Sequence, residues 1–270
     1  MHADVLKHVV LVQMLAHLTA KDTPLWFVDT HAGAGAYSLE AGFAQKSGEY
    51  KDGIGRLWDK AGLPAAIGEY LTQVRKANPD KELRSYPGSP QIALQMLRAQ
   101  DHLQLFELHT TESKLLQKHF AKAGRRVSVQ AADGFAGLKG VLPPPSRRGL
   151  VLIDPSYEDK EDYRKVVATM RDALPRFATG VFAVWYPLVQ RQDAQDLPSQ
   201  LKQLVQGDWL QVSLTVKAPE KDGLGLHGSG MFVFNPPWKL EAALQEAMPV
   251  LVKLLGRDSK ATFKLQFQQT

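Results

Sequence analysis

Short apolar runs alternate with helical patterns from residue 103 to the end of the chain, and this alternation limits the possible folds. The runs are typical of buried strands, and the segments between most of them have apolar residues at helical spacing. Strands that alternate with helices predict the α/β class, a parallel sheet with helices on both faces. The predicted strands are 103–109, 126–131, 149–154, 179–186, 209–217 and 229–235, and the predicted helices are 111–123, 160–174, 192–206 and 239–256.

The chain before residue 103 is organised differently. An amphipathic helix is predicted over 2–22, followed by a strand over 25–31. Residues 40–88 are helical in composition but interrupted by Gly, Pro and Asn, which predicts a helical insertion subdomain after the first strand. The length fits a single α/β domain over 1–270 that contains this insertion.

The last two predicted strands, 209–217 and 229–235, are joined by a segment too short for a helical crossover. We therefore expect this pair to be antiparallel. A mostly parallel seven-stranded sheet with a terminal antiparallel strand resembles the Rossmann-like class I methyltransferase fold.

Composition narrows the classes of function. The chain has no cysteine, which excludes disulfides and thiolate metal sites and suits a reducing cytoplasm. Its eight histidines lack metal-like spacing, so no metal is predicted. No apolar run approaches the roughly 18 residues that span a bilayer.

The net charge of +5 favours an anionic partner, nucleic acid first. The arginine pairs 125–126 and 147–148 fit phosphate contacts or a solvated face.

The first strand runs into the segment "VDTHAGAGAY", which contains Asp29, Gly33 and Gly35. Glycines in such a turn let the backbone approach a ligand closely beside a helix N-terminus. A dinucleotide fingerprint fails because Ser38 stands where its third glycine is needed. The segment matches the acidic-x-Gly-x-Gly-x-Gly loop of S-adenosylmethionine enzymes, with His31 in place of the first glycine.

The next two strands also end in acidic groups. Glu107 could bind both hydroxyls of a cofactor ribose or cap the helix that starts near Thr111. Asp133 and Gly134 could bind an adenine edge or form a plain Asp-Gly turn. Ligands of open α/β sheets bind at the carboxyl ends of the strands, so the order of these groups favours a binding site.

The fourth strand ends in Asp154-Pro155-Ser156-Tyr157, which resembles the Asp/Asn-Pro-Pro-aromatic motif of amino-group methyltransferases. Asp154 and the Pro155 carbonyl can each accept one N–H of an exocyclic amine and orient its lone pair. Pro155 fixes φ, and an exposed Tyr157 can stack on an unstacked base. We expect these three residues to be catalytic.

A rival motif, Asn235-Pro236-Pro237-Trp238, matches the same pattern more fully. It ends the strand that we expect to be antiparallel, so its tip should point away from the ligand edge. We predict that it is structural and that its prolines end the strand.

Taken over its whole length, the chain resembles the bacterial 23S rRNA adenine-N6-methyltransferase J family. The matching segments are "HADVLKH" (2–8), "DTHAGAG" (29–35), "GEY" (48–50), "YPGSP" (86–90), "ELH" (107–109), "ADGF" (132–135), "SRRGL" (146–150), "IDP-Y" (153–157), "FATG" (177–180), "WYP" (185–187) and "NPPWKLE" (235–241).

The resemblance implies a monomer that uses S-adenosylmethionine to methylate an adenine of 23S rRNA. It implies that Asp154 is the catalytic carboxylate and that Lys7 lies close to the cofactor. The cofactor contacts that it implies are His8, His31, Ser89, Glu107, Asp133, Gly134 and Asp154.

Two departures from the family pattern bear on activity. The family has a segment rich in Tyr, His and Arg before "HADVLKH", which this sequence lacks, and Ser156 replaces the second proline of the motif. Three alternatives stay open: a DNA adenine-N6 methyltransferase, an rRNA guanine-N2 methyltransferase, and a non-catalytic RNA-binding module.

Overall fold

The structure, a computed structural model, describes residues 2–40, 48–220 and 225–268. Residues 41–47 of the predicted insertion lie outside the described residues. The described strands are β1 (Trp26–Asp29), β2 (Ala36–Ser38), β3 (Ser85–Pro87), β4 (His102–Phe106), β5 (Val127–Gln130), β6 (Gly149–Ile153), β7 (Val181–Leu188), β8 (Trp209–Thr215), β9 (Gly228–Phe234) and β10 (Thr262–Gln268). The described helices are α1 (His2–Thr19), α2 (Ala65–Lys76), α3 (Ser89–Met96), α4 (Thr110–Phe120), α5 (Gly134–Val141), α6 (Glu161–Arg176), α7 (Gln192–Lys202) and α8 (Leu240–Leu255), with short 3₁₀ turns at Glu49–Asp52 and Ile54–Arg56.

The main sheet has the strand order β10-β8-β9-β7-β6-β1-β4-β5. The five strands from β7 to β5 are parallel, whereas β9 runs antiparallel to both β7 and β8. This topology confirms the predicted α/β class and the antiparallel pairing of the last two predicted strands.

The described part of the sheet has eight strands rather than the predicted seven, because β10 pairs antiparallel with β8 along its whole length. Only Phe263 and Leu265 of this edge strand pack against the core, while its polar side chains are exposed. One solvated face lowers the apolar content, so the segment does not form the continuous apolar run that identified the central strands.

The predicted amphipathic helix is α1, but it is buried on most of its surface. Val5, Val10, Leu11 and Met14 point in different directions around the helix and are all inaccessible to solvent. The reason is that α1 packs against β9, α2, α3 and α8 at once. The helical spacing was correct, and the expectation of a solvent-facing stripe was wrong.

The sheet is covered on both faces by apolar clusters. In β6, Leu150 and Leu152 belong to the cluster that includes α1, α2, α3 and α8, whereas Val151 and Ile153 belong to the cluster with α5, α6 and α7. Successive side chains of a strand point to opposite faces, so a strand buried on both sides reads as an unbroken apolar run.

Between β1 and β4 the chain forms a separate two-stranded sheet, β2 and β3, with helices of the predicted insertion between these two strands. β2 pairs antiparallel with β3, with Tyr37 opposite Tyr86, which brings together the two ends of the intervening chain. Within that segment α2 packs on α1. In the ranges given above, no helix combines the length and the apolar character needed to cross a membrane.

Candidate active site

The acidic side chains predicted at strand ends lie along one edge of the sheet. Asp29, the last residue of β1, is in register with Leu152, two residues before Asp154. The next pair of strands aligns Phe106 with Gln130, so Glu107 and Asp133 follow at neighbouring strand ends. The carboxyl ends of parallel strands form the ligand edge of open α/β sheets.

The glycine loop after β1 is fastened to this edge by backbone hydrogen bonds. Gly33 and Gly35 have φ values of 57° and 85°, which favour glycine. The Gly33 N–H donates to Glu107 Oε2 at 2.8 Å, and the Gly88 N–H donates to the Gly35 carbonyl at 2.9 Å. These bonds tie the loop both to the end of β4 and to the start of α3.

Glu107 and Asp133 each accept a backbone hydrogen bond at the start of the segment that follows their strand. Glu107 Oε1 accepts the His109 N–H at 2.7 Å, just before α4 begins. Asp133 Oδ1 accepts the Phe135 N–H at 2.8 Å and caps α5. Glu107 thus bonds to the residue before α4 without capping the helix, and Asp133 caps α5 instead of forming a plain turn. Binding of ribose or adenine by these side chains stays a prediction.

Gly134 is needed for packing between two segments of this edge. A Cβ atom at this position would lie 2.0 Å from the Thr30 carbonyl oxygen. Real Cβ atoms do not approach that closely, so any other residue would push α5 away from the loop after β1. Close packing against Thr30 therefore explains why this position is a glycine, whether or not it also contacts a ligand.

A cavity of about 210 Å³ opens where α1, the loop after β1 and the start of α3 meet. Its wall contains five residues of the predicted site: Lys7, His8, His31, Ser89 and Asp154. The rest of the wall consists of Asp4, Ala32, Tyr37, Tyr86 and Gly88. The other predicted residues are not part of this wall: Gly33, Gly35, Glu107, Asp133, Gly134, Pro155 and Tyr157.

Lys7 bridges two carboxylates in this wall. Its Nζ donates to Asp154 Oδ2 at 2.6 Å and to Asp4 Oδ1 at 2.9 Å. Burial opposes the charge of Lys7, but the two carboxylates outweigh it and raise its pKa above the ordinary value. Burial raises the pKa of Asp154 to about 6 even though Lys7 favours its ionised form. At neutral pH the Asp154 carboxylate is therefore ionised and held in place.

Asp29 lies beneath the cavity and has no solvent exposure. Ser89 Oγ donates to its Oδ2 at 2.6 Å, and the His31 N–H donates to its Oδ1 at 3.2 Å. Burial raises the pKa of Asp29 to about 7, with the hydrogen bond from Ser89 opposing the shift. The Ser89 side chain thus orients the acidic group of the glycine loop.

Both histidines of the wall are neutral at physiological pH. Burial lowers the pKa of His8 to about 3 and that of His31 to about 4. Tyr86 Oη and His8 Nδ1 are hydrogen bonded at 2.9 Å, and Thr30 Oγ1 and His31 Nδ1 at 2.8 Å. Each imidazole can therefore offer a single N–H.

Tyr157 differs from its prediction. The side chain is 4% exposed rather than free, and its hydroxyl donates to the Trp185 carbonyl at 2.7 Å. Its ring packs on that of Tyr163, with centroids 4.6 Å apart. In this position it cannot stack on a base, so the expectation of an exposed ring was wrong. Its φ of 56° shows that the loop after Pro155 turns sharply around a buried anchor.

The rival motif lies at the opposite end of the sheet. Phe234 pairs with Phe182 near the start of β7, whereas Ile153 pairs with Val184 farther along the same strand. Asn235 Nδ2 donates to the carbonyls of Ala178 and Gly180 at 2.8 and 2.7 Å. These contacts are structural, as its position predicted.

Sequence reasoning did not single out Asp4, Tyr37 or Tyr86, which complete the cavity wall. Asp4 and Tyr86 fall in the segments "HADVLKH" and "YPGSP", so the segments that carried the resemblance were the available signal. In the ranges described, no group of three His, Cys, Asp or Glu side chains is placed to hold a metal ion.

The family described as "Ribosomal RNA large subunit methyltransferase D, RlmJ" matches residues 22–268. This chain belongs to the RlmJ family. Ribosomal RNA large subunit methyltransferase J of Escherichia coli is 47% identical over 93% of the chain and 89% of that protein. The protein of the same name from Haemophilus influenzae is 43% identical over 98% of the chain and 94% of that protein.

A crystal structure shares the fold of this chain. A protein of Legionella pneumophila superposes with a TM-score of 0.89 at 35% identity, over 98% of this chain and 96% of that one. The shared fold therefore includes the main sheet as well as α1, which supplies Lys7 and His8 to the cavity.

Proposed function

We propose that this RlmJ-family chain transfers a methyl group from S-adenosylmethionine to the N6 amine of an adenine in 23S rRNA. Its relatives from E. coli and H. influenzae are named as methyltransferases of large-subunit ribosomal RNA. The observation that carries the proposal is the Asp154 carboxylate, which lies in the cavity wall at the end of β6 and is held by Lys7. Pro155 follows it directly.

This arrangement fits an amine that is a poor nucleophile. The lone pair of an adenine amine is conjugated with the ring, so the amine must be oriented before it can attack. Lys7 occupies Asp154 Oδ2, and we assign Oδ1 to one N–H of the amine and the Pro155 carbonyl to the other. Two fixed acceptors aim the lone pair and stabilise the positive charge that develops on nitrogen.

S-adenosylmethionine would supply a methyl group on a positively charged sulfur, which the amine attacks directly. The residues present suit such a ligand, because His8 Nε2 is buried without a hydrogen-bond partner among the described residues. We propose that Lys7, His8, His31, Ser89 and Asp154 line the cofactor side of the cavity. Gly33, Gly35, Glu107, Asp133 and Gly134 would complete it along the neighbouring strand ends.

The substrate base has to leave its stack to reach Asp154, as in other enzymes that act on a base. We propose that Tyr157 contributes by anchoring the loop of Asp154 and Pro155. We propose that the chain acts as a monomer, as its resemblance to the family implies. We place its action in the cytoplasm, where ribosomal RNA is found in bacteria.

We also propose that residues 40–88 form a helical insertion within a single domain that spans 1–270. The pairing of β2 with β3 supports this boundary, because it closes the segment at its two ends. Tyr86, near the end of that segment, lines the cavity. The insertion would thus contribute to the site directly.

The proposal is tested by incubating the chain with methyl-labelled S-adenosylmethionine and 23S rRNA, then identifying the labelled nucleoside. N6-methyladenosine is the expected product. Label in N2-methylguanosine, or in DNA offered in parallel, would support the other methyltransferase alternatives. If S-adenosylhomocysteine shows no binding in a calorimetric titration, the non-catalytic RNA-binding module is favoured instead.

A further inference from the structure

Three buried side chains from different elements form one hydrogen-bonded row beside the cavity. Tyr70 Oη in α2 lies 3.0 Å from Tyr86 Oη in β3, which lies 2.9 Å from His8 Nδ1 in α1. Their exposed fractions are 0%, 2% and 1%. The row connects the insertion to the first helix, and only its last two members line the cavity.

The direction of this row determines which nitrogen of His8 has the proton. Burial lowers the pKa of His8 to about 3, so the imidazole is neutral and has one N–H. If Tyr86 donates to Nδ1, the proton of His8 is on Nε2. If Nδ1 donates to Tyr86 instead, Nε2 is an acceptor.

The hydroxyl protons of Tyr70 and Tyr86 decide between the two directions. In the part of the chain that the structure describes, the Tyr70 hydroxyl is hydrogen bonded to the Tyr86 hydroxyl. If Nδ1 donated to Tyr86, the proton of either Tyr70 or Tyr86 would be buried without an acceptor among the described residues, at a cost of about 1–3 kcal/mol. The row therefore runs from Tyr70 to Tyr86 to His8 Nδ1.

We infer that Tyr70 and Tyr86 are positioning residues that fix His8 as the Nε2–H tautomer, a donor for the carboxylate of the amino-acid end of the cofactor. His8 lines the cavity, and its Nε2 has no hydrogen-bond partner within the described ranges. The ring plane is fixed as well, because His8 stacks on Tyr86 with centroids 5.5 Å apart at 24°. An anionic acceptor suits a fixed N–H donor best.

This inference rests on the proposed function, since it assumes that S-adenosylmethionine occupies the cavity. Its first test needs no ligand. The chain labelled with ¹⁵N-histidine is observed by long-range ¹H–¹⁵N NMR, and His8 is assigned from the signals missing in His8→Gln. We expect His8 Nδ1 to be unprotonated and Nε2 protonated. Protonated Nδ1 would overturn the inference.

The second test compares two ligands by calorimetric titration. S-adenosylhomocysteine has the amino-acid end, whereas 5′-methylthioadenosine lacks it. Tyr86→Phe should weaken S-adenosylhomocysteine binding by about tenfold, the value of one hydrogen bond to a charged group, and leave methylthioadenosine binding unchanged. Tyr70→Phe should keep the Nε2–H tautomer, because Tyr86 can still donate, and weaken S-adenosylhomocysteine binding by less than Tyr86→Phe.

Tyr186→Phe is the matched control, since Tyr186 is also buried and its hydroxyl accepts a hydrogen bond from Gln211 at 2.9 Å. If Tyr86→Phe binds S-adenosylhomocysteine as tightly as this control, the relay is wrong while the proposed function stands. Absence of binding by the wild type would contradict the proposed function itself. Should Tyr86→Phe fail to fold, the wild-type tautomer and Tyr70→Phe decide the question.

Discussion

Lys7 Nζ lies 2.6 Å from Asp154 Oδ2, although the two residues are 147 positions apart in the chain. The contact joins the first helix to the end of the central strand β6 and holds the carboxylate of the candidate site in one orientation. Because Lys7 also contacts Asp4, it stays paired when Asp154 is removed. Function and stability can therefore be separated at this position.

Asp154→Ala should lower the rate of methyl transfer by at least about 10²–10³-fold, the loss seen when one preorganised group that stabilises charge is removed. The fold should survive, because Lys7 keeps its contact with Asp4. The rate is measured with labelled cofactor and 23S rRNA, and folding by circular dichroism. Substantial residual transfer would remove Asp154 from the catalytic role.

Asn235→Ala should leave methyl transfer intact and lower the free energy of unfolding by about 2–3 kcal/mol. The variant loses hydrogen bonds to the Ala178 and Gly180 carbonyls. It also places alanine at a φ of 51°, which asparagine tolerates better. Asn235→Gly separates the two causes, since it loses the bonds without the backbone strain. Urea unfolding gives both values, and loss of activity matching that of Asp154→Ala would mean that the wrong motif was chosen.

The pH profile of kcat/KM should fall on its acid side near pH 6, because the pKa of Asp154 is raised to about 6 and only its ionised form is a full acceptor. Below that pH the decline should approach about tenfold per pH unit. Lys7→Met removes the group that favours ionised Asp154, so the acid limb should move to higher pH. A profile that is flat from pH 5 to 8 would contradict this role.

Asp29 should make the protein less stable as pH rises from about 4 to about 7. Its pKa in the folded chain is about 7 against an ordinary 3.8, so the folded chain binds more protons than the unfolded chain between those values. Three pKa units correspond to on the order of 4 kcal/mol. The stability of Asp29→Asn relative to wild type should therefore increase with pH in urea unfolding series. Parallel curves for the two proteins would show that Asp29 ionises normally.

Gly134→Ala should destabilise the protein by about 1–3 kcal/mol or more, because its Cβ would collide with the Thr30 carbonyl at 2.0 Å. Gly140→Ala is a matched control in the same helix, where a Cβ meets nothing within 4 Å. That change should be neutral or stabilise by about 0.5–1 kcal/mol. Thermal unfolding distinguishes the pair, and equal stability of the two variants would contradict the packing role of Gly134.

The central strands, and the order of the acidic groups at their ends, could be predicted from the sequence alone. β6 is buried on both faces and so forms an unbroken apolar run, which needs no knowledge of its partners. The short pair β2 and β3, three residues each, gave no such signal. α5 was missed because glycines at 134, 137 and 140 lower its helix propensity, and an Asp cap and tertiary packing override that weakness.

The candidate site was predictable only where residue type and strand position agree, as at Asp154. The burial of Tyr157 could not be foreseen, because it depends on Tyr163 and Trp185 beyond the motif. The contact between His8 and Tyr86 spans 78 residues, and local patterns do not encode such a distance. Asp29 and Ser89, 60 residues apart, are a second pair of this kind.

The burial of α1 among β9, α2, α3 and α8 also has a consequence during synthesis. The helix over residues 2–19 is made long before β9, at residues 228–234, so the part of its apolar surface that β9 covers stays uncovered until β9 has emerged. The contact between Lys7 and Asp154 cannot form until residue 154 has been synthesised. A nascent copy is therefore expected to remain inactive until β9 has been made.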